Sequence, residues 1–86
     1  MQQFTYIITD PLGIHARPAG ILAKVAKNYP DTVIMIAKDD NAVKATQLMK
    51  LMGLGVKEGD AVKVTAEGPS EADAIDVMYS TFEDYL

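Results

Sequence analysis

The stretch AVKVTAEG, residues 61–68, sets Val62, Val64 and Ala66 on one side of an extended chain. A period of two is of use only to a strand with one buried face. FTYIIT (4–9) and TVIMIA (32–37) are rich in β-branched and aromatic residues and predict two more strands. AVKA (42–45) predicts the short return strand of a hairpin turned by KDDN (38–41). Between the strands the period changes to that of a helix. From Ala16 onward, Ala19, Leu22, Val25, Ala26 and Tyr29 share one face, with Lys24, Lys27 and Asn28 off it. Pro18 suits the first turn of that helix, and Pro30 ends it. TQLMKLMGLGV (46–56) predicts a short amphipathic helix stopped by Gly53 and Gly55. SEADAIDVMYSTFEDYL (70–86) opens with Ser70 and Asp73 at capping-box spacing. It continues with Ile75, Met78, Phe82 and Tyr85 as an apolar stripe. DPLG (10–13) and KEGD (57–60) read as turns.

The order is β-α-β-β-α-β-α. It predicts an α/β (α+β) two-layer open-faced sandwich: a four-stranded antiparallel sheet with three helices on one face. The first helix would link two strands of a split βαβ unit. At 86 residues the chain can build one core, so one domain over residues 1–86 is expected. The absence of cysteine excludes a disulfide framework and a thiolate zinc site. No apolar run approaches the roughly 20 residues of a membrane span. MQQFTYIITD lacks the basic and apolar regions of a signal peptide, so a cytoplasmic location is expected. The formal net charge of −4 argues against a nucleic-acid partner.

PLGIHARPAG (11–20) contains the only histidine and the only arginine, His15 and Arg17. His15 falls just before the first helix, where backbone N–H groups lack intrahelical partners and carry the positive end of the helix dipole. An anion is stabilised at such a place. Arg17 adds a planar donor fork suited to phosphate oxygens. Neutral imidazole is a competent nucleophile at physiological pH, so His15 is well placed to carry a phosphoryl group. On spacing alone, His-x-Arg is more often an ordinary polar surface pair. One histidine with no second ligand at i+3 or i+4 gives no metal site.

GIHARPAG resembles the active-site signature of HPr, the histidine-containing phosphocarrier family of the bacterial phosphoenolpyruvate-dependent sugar phosphotransferase system. Length, element order and the short LMKLMGLGV helix extend the resemblance over essentially the whole chain. The resemblance implies that His15 accepts a phosphoryl group on Nδ1 from phosphorylated enzyme I and passes it to IIA domains of sugar permeases. Arg17 and the backbone N–H groups of Ala16 and Arg17 would hold the phosphate, and Pro18 would fix the first turn. It implies a monomeric stoichiometric carrier, not a free-standing enzyme, with no cofactor. A regulatory phosphorelay carrier of the nitrogen type is an alternative. A non-transferring module that docks on a transcription regulator is another, though such members lack the histidine.

In this family the first two helices form the docking face. Leu48, Met49, Leu51 and Met52 crowd a helix of about two turns, which cannot bury every side. Leu48 and Met52 are the candidates for exposure, with burial of all four as the alternative. Lys24, Lys27 and Lys50 would ring the patch and steer acidic partners, or are simply solvated. Many relatives carry a regulatory serine at the start of the second helix. Alignment on LMKLMGLG places Gln47 there and Thr46 one residue earlier, through an apparent one-residue insertion in the KDDN turn. The serine switch is therefore expected to be absent.

Overall fold

The computed structural model describes residues 1–86. Its elements are β1 (Gln2–Ile7), α1 (Ala16–Ala26), β2 (Val33–Lys38), β3 (Asn41–Lys44), α2 (Leu48–Gly53), β4 (Ala61–Glu67) and α3 (Glu71–Tyr85). The four strands form one sheet in the order β1-β4-β2-β3, and every neighbouring pair is antiparallel. β1 and β2 are therefore parallel to each other with β4 between them, and α1 connects them: this is the split βαβ unit. The expected two-layer sandwich is the observed fold.

The period-two pattern of β4 sets the core. Val62, Val64 and Ala66 are fully buried, and Ile34 and Ile36 of β2 lie beside them. Leu22 and Ala26 of α1, Leu51 of α2, and Met78 and Phe82 of α3 close over that face. Burying each large apolar side chain contributes about 1.5–3 kcal/mol. Phe4 and Tyr6 of β1 meet Tyr79 and Phe82 of α3 edge to face, with centroids 5.0–6.1 Å apart. This cluster fixes α3 across β1.

Several sequence expectations are corrected. β1 ends at Ile7 rather than residue 9, because the next amides find partners outside the sheet. Ile8 N–H donates to Asp60 O, and Asp10 N–H donates to Leu86 O. α2 spans six residues. On α3 the stripe runs through Ala74, Ile75, Met78, Thr81 and Phe82, while Tyr85 is exposed and Leu86 is buried in its place. Ser70 is the N-cap of α3, yet its side chain makes no cap bond. Its hydroxyl donates to Asp31 Oδ2, and Glu71 Oε1 accepts the N–H of Gly68 instead. The β2–β3 hairpin pairs Lys38 with Asn41, so its loop is Asp39 and Asp40 alone. Asp39 adopts φ 53, a left-handed conformation that aspartate tolerates. Two residues is among the commonest hairpin connections.

Candidate functional site

His15 is the N-cap of α1, with extended backbone (φ −105, ψ −172). Its carbonyl accepts the N–H of Ala19 at 3.0 Å, while its imidazole makes no capping bond. The side chain is 35% exposed and so open to a reaction partner. Ala16, Arg17 and Pro18 form the first turn. The N–H groups of Ala16 and Arg17 have no carbonyl within the helix to bond. Pro18 has no N–H, and at the third helical position none is required. Its ring is buried, as is Ala19, and together they seat the helix start on the body of the protein.

Arg17 is exposed and makes no ion pair, so its guanidinium is free for an incoming anion. His15, Arg17 and Pro18 share one shallow cleft with Asp10, Leu12, Asp84 and Tyr85. The sequence pattern pointed to neither Asp10 nor the α3 end as part of this site. Asp10 lies five residues before the histidine, and only the turn between them brings it back. Asp84 arrives from the far end of the chain, at a separation no local pattern encodes. No cluster of His, Cys, Asp or Glu suited to a metal ion is present.

The turn before His15 depends on one glycine. Gly13 has φ +67, and a Cβ there would lie 2.0 Å from Val56 O. The close approach lets Ile14 N–H bond the same carbonyl at 3.2 Å and lets Ile14 sink into the core. The histidine is thus presented from a loop pinned against the α2–β4 connection.

The second helix packs on the first and offers an apolar surface. Leu51 is fully buried, whereas Leu48 is 39% and Met52 38% exposed. Met49 is the most exposed of the group at 77%, and it was missed among the candidates. The helical turn explains it: two residues from Leu51 is about 200° around the axis, so Met49 points directly away from the core. Lys24, Lys27 and Lys50 are all exposed. Lys27 caps the C-terminus of α1, about 18 Å along the axis from His15 at 1.5 Å per residue. Lys24 and Lys27 therefore sit at the negative end of the helix dipole, opposite the histidine. Gln47 is the N-cap of α2 without a side-chain cap bond, and Thr46, exposed, precedes it.

The sequence matches the family model described as "PTS HPr component phosphorylation site" over residues 2–84. Phosphocarrier protein HPr of Mycoplasma genitalium is 32% identical over 83 residues, 96% of this chain and 94% of that protein. Among solved structures, a Mycoplasma histidine-containing phosphocarrier protein superposes with a TM-score of 0.93 at 32% identity, over 96% of this chain and 93% of that one. An HPr from Thermoanaerobacter tengcongensis gives 0.84 at 37% identity over the whole of both chains, and HPr from that organism has also been solved as a dimer. This chain belongs to the HPr family of bacterial phosphotransferase-system phosphocarriers.

Proposed function

We propose that residues 1–86 act as one phosphocarrier domain that takes a phosphoryl group on His15 from phosphorylated enzyme I and passes it to IIA domains of sugar permeases. The observation that carries this is the exposed imidazole of His15 at the α1 N-cap, free of any capping bond, with the unpaired guanidinium of Arg17 in the same cleft. The Nδ1 lone pair attacks phosphorus, the donor's nitrogen–phosphorus bond breaks, and its electron pair stays with the donor imidazole. The three phosphoryl oxygens then meet Arg17 and the N–H groups of Ala16 and Arg17, which Pro18 holds in the first turn. The site is open, so stabilisation of the phosphorylated state is modest and the second transfer remains favourable. Positioning and electrostatics carry the transfer.

In this reading the protein is a stoichiometric monomeric carrier of the cytoplasm with no cofactor of its own, and is not a free-standing enzyme. Leu48, Met49 and Met52, with Lys24, Lys27 and Lys50, meet its partners. The test is incubation with enzyme I and phosphoenolpyruvate, followed by intact mass before and after acid. One acid-labile phosphate is expected, and none on His15→Ala. A normal adduct on that variant overturns the assignment of His15.

A further inference from the structure

We propose that Asp10 is the residue that orients the His15 ring and fixes which of its nitrogens is free to react. This rests on the carrier reading above. Asp10 Oδ1 lies 3.9 Å from His15 Nε2. That carboxylate is not a loose surface group. The same oxygen accepts the N–H of Leu12 at 2.8 Å, the Asp10 carbonyl accepts the N–H of Gly13 at 3.0 Å, and the Asp10 N–H donates to Leu86 O at 2.9 Å. Pro11 and Gly13 set the turn in which this happens, and the side chain is 27% exposed. The position of the negative charge is therefore built into the loop that delivers the histidine.

A carboxylate at that distance discriminates between the two neutral tautomers. With the proton on Nε2, an N–H dipole faces the negative charge. With the proton on Nδ1, a lone pair faces it. Asp10 favours the first, which leaves the reactive lone pair on Nδ1. Nδ1 is bonded to Cγ and is the ring nitrogen that stays closest to the histidine's own backbone, at the helix N-terminus where a phosphoryl group is held. During transfer the Nδ1–phosphorus bond forms while Nε2 keeps its proton, so the ring gains positive charge. Asp10 stabilises that charge as it develops. A carboxylate behind a catalytic imidazole plays the same two parts in hydrolytic triads, without itself taking up the proton.

The discriminating variant is Asp10→Asn. Its side-chain oxygen still accepts the Leu12 N–H, so the turn survives, and unchanged amide shifts of Leu12 and Gly13 verify this. Imidazole ¹⁵N shifts recorded at about pH 9 report the tautomer. Wild type is expected to be mainly the Nε2–H form, and Asp10→Asn to lose that bias. Phosphoryl uptake from phosphorylated enzyme I is expected to slow about tenfold in the variant, a small effect beside that of a buried triad because this site is partly solvated. A wild-type ring protonated mainly on Nδ1 overturns the proposal. So does an Asp10→Asn protein with the wild-type tautomer ratio and the wild-type rate. The tautomer measurement needs no phosphoryl donor, so failure of the carrier reading and failure of this one are told apart.

Discussion

Lys38 Nζ bonds Asp60 Oδ2 at 2.9 Å and also donates to the carbonyl of Gly55 at 2.9 Å. One side chain from the end of β2 thus ties down the α2–β4 connection, which runs directly under the histidine loop through Val56. Asp60 in turn accepts the N–H of Lys57 at 2.8 Å. The hydrogen bond from Lys38, and then that from the Lys57 amide, hold the Asp60 carboxyl below the usual aspartate range. A carboxyl whose value is depressed by folding contributes stability above its unfolded value and loses it as pH falls through its folded value. Native stability should therefore decline through Asp60 below about pH 4. Thermal unfolding of Asp60→Asn followed from pH 6 to pH 2 is expected to fall less steeply than that of wild type. Identical slopes would remove Asp60 from the acid sensitivity.

Gly13→Ala is the backbone test of how the histidine is presented. The added Cβ would meet Val56 O at 2.0 Å, at a φ of +67 that alanine adopts only under strain. Strain and clash together should cost at least about 2 kcal/mol. Chemical denaturation measures this. Phosphoryl uptake should fall further than the loss of folded protein explains, since the displaced loop carries both Asp10 and His15. Gly20→Ala, inside α1 and with nothing within 4 Å of its new Cβ, is the clash-free control and should be more stable than wild type by about 0.5–1 kcal/mol.

Arg17 should matter to transfer and not to folding. It is exposed and makes no ion pair, so Arg17→Ala should leave the unfolding temperature within about 1–2 °C of wild type. Its fork meets developing charge on the phosphoryl oxygens, so transfer should slow by roughly 10²-fold. Stopped transfer assays with phosphorylated enzyme I supply the rate. A wild-type rate would show that the backbone N–H groups suffice.

The five residues LMKLM (48–52) separate packing from docking. Leu51→Ala should cost about 2–5 kcal/mol, because Leu51 is fully buried between α2 and the sheet. Met49→Glu should change stability little, since Met49 is 77% exposed, yet should weaken partner binding by placing a carboxylate in the apolar patch. Calorimetry with enzyme I reads the second effect. Unchanged affinity would place the docking surface elsewhere.

The order of elements along the chain and the buried faces were legible because Val62, Val64, Ala66 and the helical stripe of α1 repeat with the period of the element that carries them, whereas the sheet order β1-β4-β2-β3 is set by pairings between distant segments that no local period encodes. The candidate site could be read at His15 and Arg17 because a helix start is a local feature and GIHARPAG carries the family resemblance. Asp10 could not, because its reach to His15 depends on turn geometry rather than on periodicity. Met49 escaped for another reason. In a helix this short, apolar content alone does not say which residue points inward until Leu51 is known to be the buried one. The capping spacing at Ser70 misled because Asp31 and Thr32, 38 or 39 residues away, offer that serine better partners.

The serine-directed kinase that regulates many relatives should leave this protein unmodified. Gln47 holds the N-cap of α2, its carbonyl accepting the N–H of Leu51 at 3.0 Å, and it has no hydroxyl. Thr46 has one, but it lies one residue before the cap and is not carried by the helix start. The Gln47 side chain makes no cap bond, and glutamine is a poor capping residue. Gln47→Ser should therefore do two things at once. It should stabilise the protein by about 0.5–1 kcal/mol through a hydroxyl that accepts a first-turn N–H. It should also restore a hydroxyl where a kinase that reads the α2 start can reach it, and the resulting phosphate would meet the positive end of the α2 dipole. Incubation with such a kinase, ATP and magnesium, followed by tandem mass spectrometry, should find no acid-stable phosphate on wild type and one on the variant. A phosphate on Thr46 of the wild-type protein would show instead that the recognised position is set by distance from Leu48 and Leu51 and not by the cap, and that the switch is intact.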